Sequence, residues 1–186
     1  MPKSLAIGSG LRTKSAWVIA VPFFLLAGPS RASLAAGAFL SLVGLGIRGW
    51  SAGTIQKGEV LTVSGPYAYV RNPLYVGSFL IGGGLAVAGG SWLWLLLFLL
   101  FFVALYGPTV AAESARLTEQ FGHRYVEYSA RVPAFVPRLT PFRQGESAQT
   151  GGFRWSQYQR NREWEALLGV GAAFALLWLK LMLLGG

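Results

Sequence analysis

The sequence contains no cysteine and no aspartate, and one histidine, His123, in 186 residues. Disulfides, thiolate nucleophiles and thiolate metal sites are excluded, and one imidazole beside glutamates alone is too thin a ligand set for a usual metal centre. Charge is scarce too: 12% of the residues are charged, against 53% that are hydrophobic. A soluble globule carries about a quarter charged residues, so the expected solvent for most of this chain is a bilayer. What charge there is leans one way, with 16 Lys and Arg against 7 acidic residues and a net charge of +9. In so apolar a chain that excess belongs to the inner surface of a membrane protein, not to nucleic-acid binding. Neither nucleic acid nor metal is expected as a partner.

Apolar residues gather in five stretches, at about 15–27, 32–47, 74–88, 91–112 and 166–184. The expected fold class is all-α, an integral membrane helical bundle of about five transmembrane helices with cytoplasmic or interfacial helices. One membrane domain would cover 1–186: a first helical hairpin at 15–47, a core holding the polar motifs at 48–139, and a linker, interfacial helix and last span at 140–186. Only the fourth and fifth stretches approach the roughly 20 residues a helix needs to cross unaided. The first two either cross as a short pair or fail to cross fully. Lys3, Arg12 and Lys14 ahead of the first stretch imitate a signal peptide, but Pro29 makes Ala27-Gly28-Pro29 a poor cleavage site, so the stretch is expected to be retained.

With the amino terminus inside, 14 of the 16 Lys and Arg fall on inner segments, as do all seven glutamates. Arg31 falls in an outer loop and Lys180 near the outer end of the last span, where its stem can snorkel. Polar chemistry is therefore expected at the cytoplasmic face. Gly89-Gly90-Ser91 makes an antiparallel hairpin of the third and fourth stretches, and Ser78, Gly82, Gly84 and Ala88 read as helix-packing positions. Pro22 and Pro108 are expected to bend their helices.

Two segments concentrate the chemistry-bearing residues. The first, Gly65-Pro66-Tyr67-Ala68-Tyr69-Val70-Arg71-Asn72-Pro73-Leu74-Tyr75-Val76-Gly77, leads from a basic loop into the third stretch. Gly65-Pro66 reads as a turn, Asn72 as an N-cap and Pro73 as the first helical residue, where its missing N–H costs nothing. The open N–H groups and positive dipole end of that helix, with Arg71 beside them, form a seat for a carboxylate or phosphate; the alternative is an ordinary capped helix with an arginine at the headgroups. The second segment runs from Glu113 to Tyr128. Leu117, Phe121, Tyr125 and Tyr128, spaced four, four and three, share one helical face. Glu113 sits just beyond a long apolar run, where an unpaired carboxylate is costly, so a cation is expected beside it: Arg71, Arg116 or the ammonium of a ligand. His123 lies off the stripe and reads as a solvated helix residue.

Together the two segments resemble the superfamily of isoprenylcysteine carboxyl methyltransferases and phospholipid methyltransferases, which are integral membrane enzymes. The first is similar to its glycine-proline-tyrosine, arginine-histidine-proline, tyrosine, glycine pattern. The second is similar to its glutamate-rich helix followed by Phe121-Gly122, two tyrosines three apart and Val132-Pro133. The likeness covers about residues 48–139. Asn72 stands where many members have histidine, and Ser114 where a second glutamate is common, so no base that titrates near neutrality is expected at residue 72.

The resemblance implies S-adenosylmethionine-dependent methyl transfer, at the cytoplasmic face, to a membrane lipid or lipidated small-molecule acceptor carrying either a prenylcysteine-type carboxylate or a lipid amine. It implies that Arg71 and the helix start at Asn72-Pro73 meet the cofactor's carboxylate and Glu113 its ammonium. Tyr69, Tyr75, Tyr125 and Tyr128 would form walls, Gly77 would belong to the same cofactor-binding set, and Glu113, Arg71 and Arg124 would be the catalytic group. Arg124, about three helical turns beyond Glu113, either closes the pocket or binds a phosphate at the surface. An amine acceptor would have to give up a proton, to Glu113 or Glu119. Two other classes fit less of the pattern: a membrane sterol-type NADPH reductase and a non-catalytic lipid-binding membrane protein.

Arg48-Gly49-Trp50, placed in a loop after the second stretch, either contacts acceptor or headgroup or serves as an anchor. Residues 144–152 read as a flexible link. Residues 153–164 mix arginine with aromatics and read as an interfacial helix, acting as an anchor or as a lid over the cofactor.

Overall fold

The computed structural model describes residues 20–56, 60–143 and 152–184, which contain helices, turns and loops but no strand. Helical residues 20–26 lead into α1 (Arg31–Thr54), a 3-10 turn (Gly65–Ala68), α2 (Pro73–Ala88), α3 (Trp92–Phe121), α4 (His123–Arg131), α5 (Trp155–Arg160) and α6 (Trp164–Leu184). Among the described residues α1, α3 and α6 are long and apolar enough to cross a membrane, and α2 is a shorter apolar helix. The all-α class holds, with three such spans where about five were expected. Residues 15–19 of the first stretch, the basic residues ahead of it and most of the 144–152 link lie outside the described residues.

The 32–47 stretch is the clearest departure from expectation. It belongs to a helix of 24 residues, because its polar continuation is satisfied within the helix: Ser51 Oγ donates to Ile47 O and Thr54 Oγ1 to Trp50 O. Arg48 is consequently a helix residue and not a loop residue. Ser30 starts α1 with a reciprocal capping box to Ser33.

The most extensive helix contact is between α1 and α2. Gly37, Ser41 and Gly44 on α1 face Gly77, Ile81, Gly84 and Ala88 on α2 so closely that a Cβ on Gly44 would stand 2.6 Å from Gly77 O. This is the small-residue seam of membrane helices, where backbones meet without a hydrophobic driving force between them. Gly84 and Ala88 are packing positions as expected, while Gly82 faces Phe98 of α3. The hairpin into α3 turns at Gly90, whose φ of +74° suits glycine, and Gly28 N donates to Gly89 O at 3.0 Å to close that end.

Lys180 belongs to the same end, and it does more than snorkel. Its ammonium donates to Phe24 O and Leu25 O at 3.0 and 2.7 Å, carbonyls that the end of the helix at 20–26 leaves open. At the opposite end α5 treats α1 the same way. Gln157 Nε2 reaches Ile55 O and Asn161 Nδ2 reaches Ala52 O, both at 2.8 Å, and Arg154 N reaches Gly53 O at 2.8 Å. Just beyond, buried Glu163 accepts two hydrogen bonds from Arg48, which also donates to Ser78 of α2. Residues 153–164 therefore clamp α1.

Because the seam admits no side chain, Gly44→Ala should destabilise the protein by about 1–3 kcal/mol through overpacking. Gly46→Ala, on the same helix with nothing within 4 Å of the added Cβ, should be neutral or stabilising by up to about 1 kcal/mol from helix propensity. Thermal unfolding of the two variants in detergent separates them, and equal melting temperatures would contradict the close approach.

Candidate functional site

The loop entering α2 cannot be held by its own helix, since Pro66 and Pro73 remove donors and the turn is only four residues long. It is held by a distant stretch. Arg71 N donates to Pro133 O at 2.9 Å, Arg138 N to Tyr69 O at 3.0 Å and Phe142 N to Ala68 O at 2.8 Å. Asn72 occupies the N-cap position without capping through its side chain; its Nδ2 instead donates to Ala134 O at 2.9 Å. Asparagine thus serves at residue 72 as a tie between the two motif segments, a departure from the expected cap.

The second segment is divided. α3 continues to Phe121, and Gly122, at φ +55° and ψ −131°, breaks the chain into α4. The single helical stripe expected from Leu117 to Tyr128 is therefore two helices, yet the break folds them onto one cluster in which Tyr125, Tyr128, Val132 and Phe142 pack with Leu117 and Phe121. The same break removes the register that would have set Arg124 three turns from Glu113.

Between these segments and the end of α1 lies a cavity of about 370 Å³, within the range of small-molecule sites. Of the site residues proposed from sequence, Arg71, Asn72, Glu113, Tyr125 and Tyr128 line it together, and Arg116, Leu117 and Phe121 line it as well. Tyr75 stands behind Glu113 and donates its O–H to Oε2 at 2.8 Å. Tyr69, Pro73, Gly77 and Arg124 do not line it: Tyr69 is tied by its carbonyl to Arg138, Pro73 begins α2, and Gly77 faces Gly44 and Arg48. Of the α5 region, no residue lines it either, so the lid role has no geometric support.

Of the cavity residues that the sequence did not single out, Tyr67 matters most. It is buried, and among the described residues its hydroxyl has no partner; the same is true of Arg71 Nε. Two donors buried without acceptors are costly unless a ligand meets them. Tyr67 and Tyr69 stand two apart in the same motif, and only the 3-10 turn decides which of them points inward. Around these donors the polar network is fixed: Arg71 Nη1 donates to Tyr125 Oη at 3.4 Å, Tyr125 Oη pairs with Ser114 Oγ at 2.8 Å, and Tyr128 Oη donates to Tyr67 O at 2.7 Å. Among the described residues Glu113 forms no ion pair with Arg71 or Arg116; the neighbour it has is the Tyr75 hydroxyl. Burial pushes the Tyr67 phenol well above its ordinary range, helped by Tyr128 and the carboxylates of Glu113 and Glu163, and burial likewise raises Tyr128. Both stay protonated donors. No group of three metal-capable side chains occurs among the described residues.

Comparison with known proteins identifies the family. A family model described as phospholipid methyltransferase matches residues 32–124, which is half of the chain and takes in both seam helices, the loop at Tyr67 to Asn72 and Glu113. The protein-S-isoprenylcysteine O-methyltransferase of Schizosaccharomyces pombe is 36% identical over 84 residues, 45% of this chain and 36% of the relative. The cobalt-zinc-cadmium resistance protein CzcN of Cupriavidus metallidurans is 37% identical over 106 residues, covering 57% and 47%. The nickel-cobalt-cadmium resistance protein NccN of Alcaligenes xylosoxydans xylosoxydans is 33% identical over 106 residues, covering 57% and 48%. The matches thus span about a third to a half of these relatives' length. No solved structure matches the chain.

The raised phenols set an alkaline limit. Folded chains keep protons on Tyr67 and Tyr128 that unfolded chains release near pH 10, so stability is full below about pH 10 and falls as pH rises above it. Tyr67→Phe should flatten that alkaline fall in a plot of melting temperature against pH. A curve unchanged by the substitution would mean that the Tyr67 hydroxyl is solvated.

Proposed function

The chain belongs to the phospholipid methyltransferase family, and from that membership we propose that it is an S-adenosylmethionine-dependent methyltransferase acting on a membrane-embedded acceptor at the cytoplasmic face. The observation that carries this reading is the cavity in which the unpartnered donors of Tyr67 and Arg71 share a lining with Glu113. An amino-acid end bearing both a carboxylate and an ammonium fits that set, since orphaned donors want an oxyanion and a carboxylate without an ion pair wants a cation.

S-adenosylmethionine, when bound, supplies a methyl group on a sulfonium. The protein's share is position and electrostatics. Arg71 holds a carboxylate through its guanidinium, and Tyr67, kept neutral by burial, adds an O–H donor. Glu113 holds an ammonium, its orientation fixed by the Tyr75 hydroxyl. Tyr125, held between Arg71 and Ser114, and Tyr128 present aromatic walls, which favour a cationic ligand. Ile55, Val60, Leu61, Leu117 and Phe121 supply the apolar part of the lining. Tyr69 and Asn72 act by tying the loop to residues 134–138. Arg124, outside the lining, fits a phosphate at the surface better than a closing role.

The acceptor is a lipid or lipidated molecule with a carboxylate or an amine. Its chain stays in the bilayer, where leaving would cost about 0.8 kcal/mol per methylene, and its reactive end meets the cavity at the membrane boundary. For an amine no base is assigned among the cavity residues, since Glu119 does not line the cavity and Glu113 is engaged with the ammonium. The cytoplasmic placement rests on the excess of arginine at the end of the bundle that carries the cavity.

Titration calorimetry of the purified protein with S-adenosylhomocysteine tests the reading. Binding should be measurable, and Arg71→Ala and Glu113→Ala should each weaken it by roughly tenfold or more, the loss of a charge-assisted hydrogen bond. No heat from correctly folded wild-type protein would overturn it. Transfer of a labelled methyl group to prenylcysteine analogues or to phosphatidylethanolamine then separates the two acceptor chemistries.

A further inference from the structure

The segment from Pro133 to Leu139 does not return to solvent after α4. Its Phe135 ring packs 5.4 Å from Phe79 of α2 and 5.9 Å from Phe102 of α3. Phe102 precedes Glu113 by eleven residues on the same helix, a distance of about 16 Å along the axis. Phe79 lies one turn deeper than Tyr75. The segment's backbone thus lies at the level of the loop at Tyr69 to Asn72, and its Phe135 ring reaches towards the apolar part of α2 and α3.

At its two ends the segment's backbone is met by protein, as irregular backbone beside a bilayer requires. Pro133 and Pro137 carry no N–H. Pro133 O accepts from Arg71 N, Ala134 O from Asn72 Nδ2, and Arg138 N donates to Tyr69 O. Phe135 points into the bundle, whereas Val136 is 73% exposed and Leu139 97% exposed, so these two apolar side chains point away from the protein. Arg131 and Arg143 flank the segment in sequence and are exposed, Arg131 pairing with Glu127; Arg138, within the segment, donates hydrogen bonds to Arg131 O and Thr140 Oγ1.

We propose that residues 133–139 form a strap that dips into an anionic leaflet, with Val136 and Leu139 in the acyl boundary and Arg131, Arg138 and Arg143 among the headgroup phosphates. The surface is continuous with the lipid-facing flank of α2 and α3, and its charge complements anionic lipid. Because the strap is bonded to Tyr69, Arg71 and Asn72, its seating fixes the height of the cavity's loop relative to the membrane surface. This inference does not depend on methyl transfer, so it stands or falls separately from the function proposed above.

The absence of native cysteine makes the test clean. Val136→Cys, Leu139→Cys and, on the polar end of α3, Glu119→Cys are each labelled with an environment-sensitive fluorophore and reconstituted in vesicles of phosphatidylcholine with phosphatidylglycerol. Spin-labelled acyl chains should quench the probes at 136 and 139 severalfold more than the probe at 119, and aqueous iodide should show the reverse order. Iodide quenching at 136 and 139 equal to that at 119 would overturn the strap. Shallower lipid quenching in pure phosphatidylcholine is expected, and identical quenching in both vesicle types would overturn the part assigned to the arginines.

Discussion

The polar end of this bundle depends on hydrogen bonds between two stretches of backbone more than sixty residues apart in sequence, the loop at Ala68 to Arg71 and the chain from Pro133 to Phe142. Each such bond contributes only about 0.5–1.5 kcal/mol net, but together they hold a loop that has no regular structure beyond one 3-10 turn. The Tyr67 hydroxyl and Arg71 Nε stay buried beside the cavity because that loop is tied in place and cannot relax toward water. Asn72 belongs to the same set of ties, which is why a side chain that could have capped α2 is used elsewhere.

A second constraint is set by the apolar surroundings. Helix ends in a bilayer cannot rely on water to meet their open carbonyls, and the protein meets them with side chains from far along the chain: Lys180 at one end, Gln157 and Asn161 at the other. The small-residue seam of α1 and α2 then sets the spacing between the two helices that carry Arg48 and Ser78. Geometry at the cavity is in this sense inherited from packing well below it.

Much of this was legible in the sequence. Apolar runs located α2, α3 and α6, and five of the site residues proposed from the two motif segments line the cavity, because capping, turn and charge patterns are local. What was not legible depended on tertiary context. The length of α1 was hidden because Arg48, Ser51 and Thr54 look like the end of a span until their intrahelical and interhelical partners are known. The stripe from Leu117 to Tyr128 read as one helix because Gly122 alone does not announce a break; its positive φ does. Tyr67 and Tyr69 could not be told apart without the turn, and the service of α5 to the end of α1 has no periodic signature at all.

The pairing of Arg48 with Glu163 bears on how the protein is made. Arg48 is synthesised in the first long span, whereas its carboxylate arrives more than a hundred residues later, at the threshold of α6. An arginine at the polar end of α1 thus has this counter-charge only once the chain as far as α6 is in place, so the ion pair couples the start of α6 to α1 and, through Ser78, to α2.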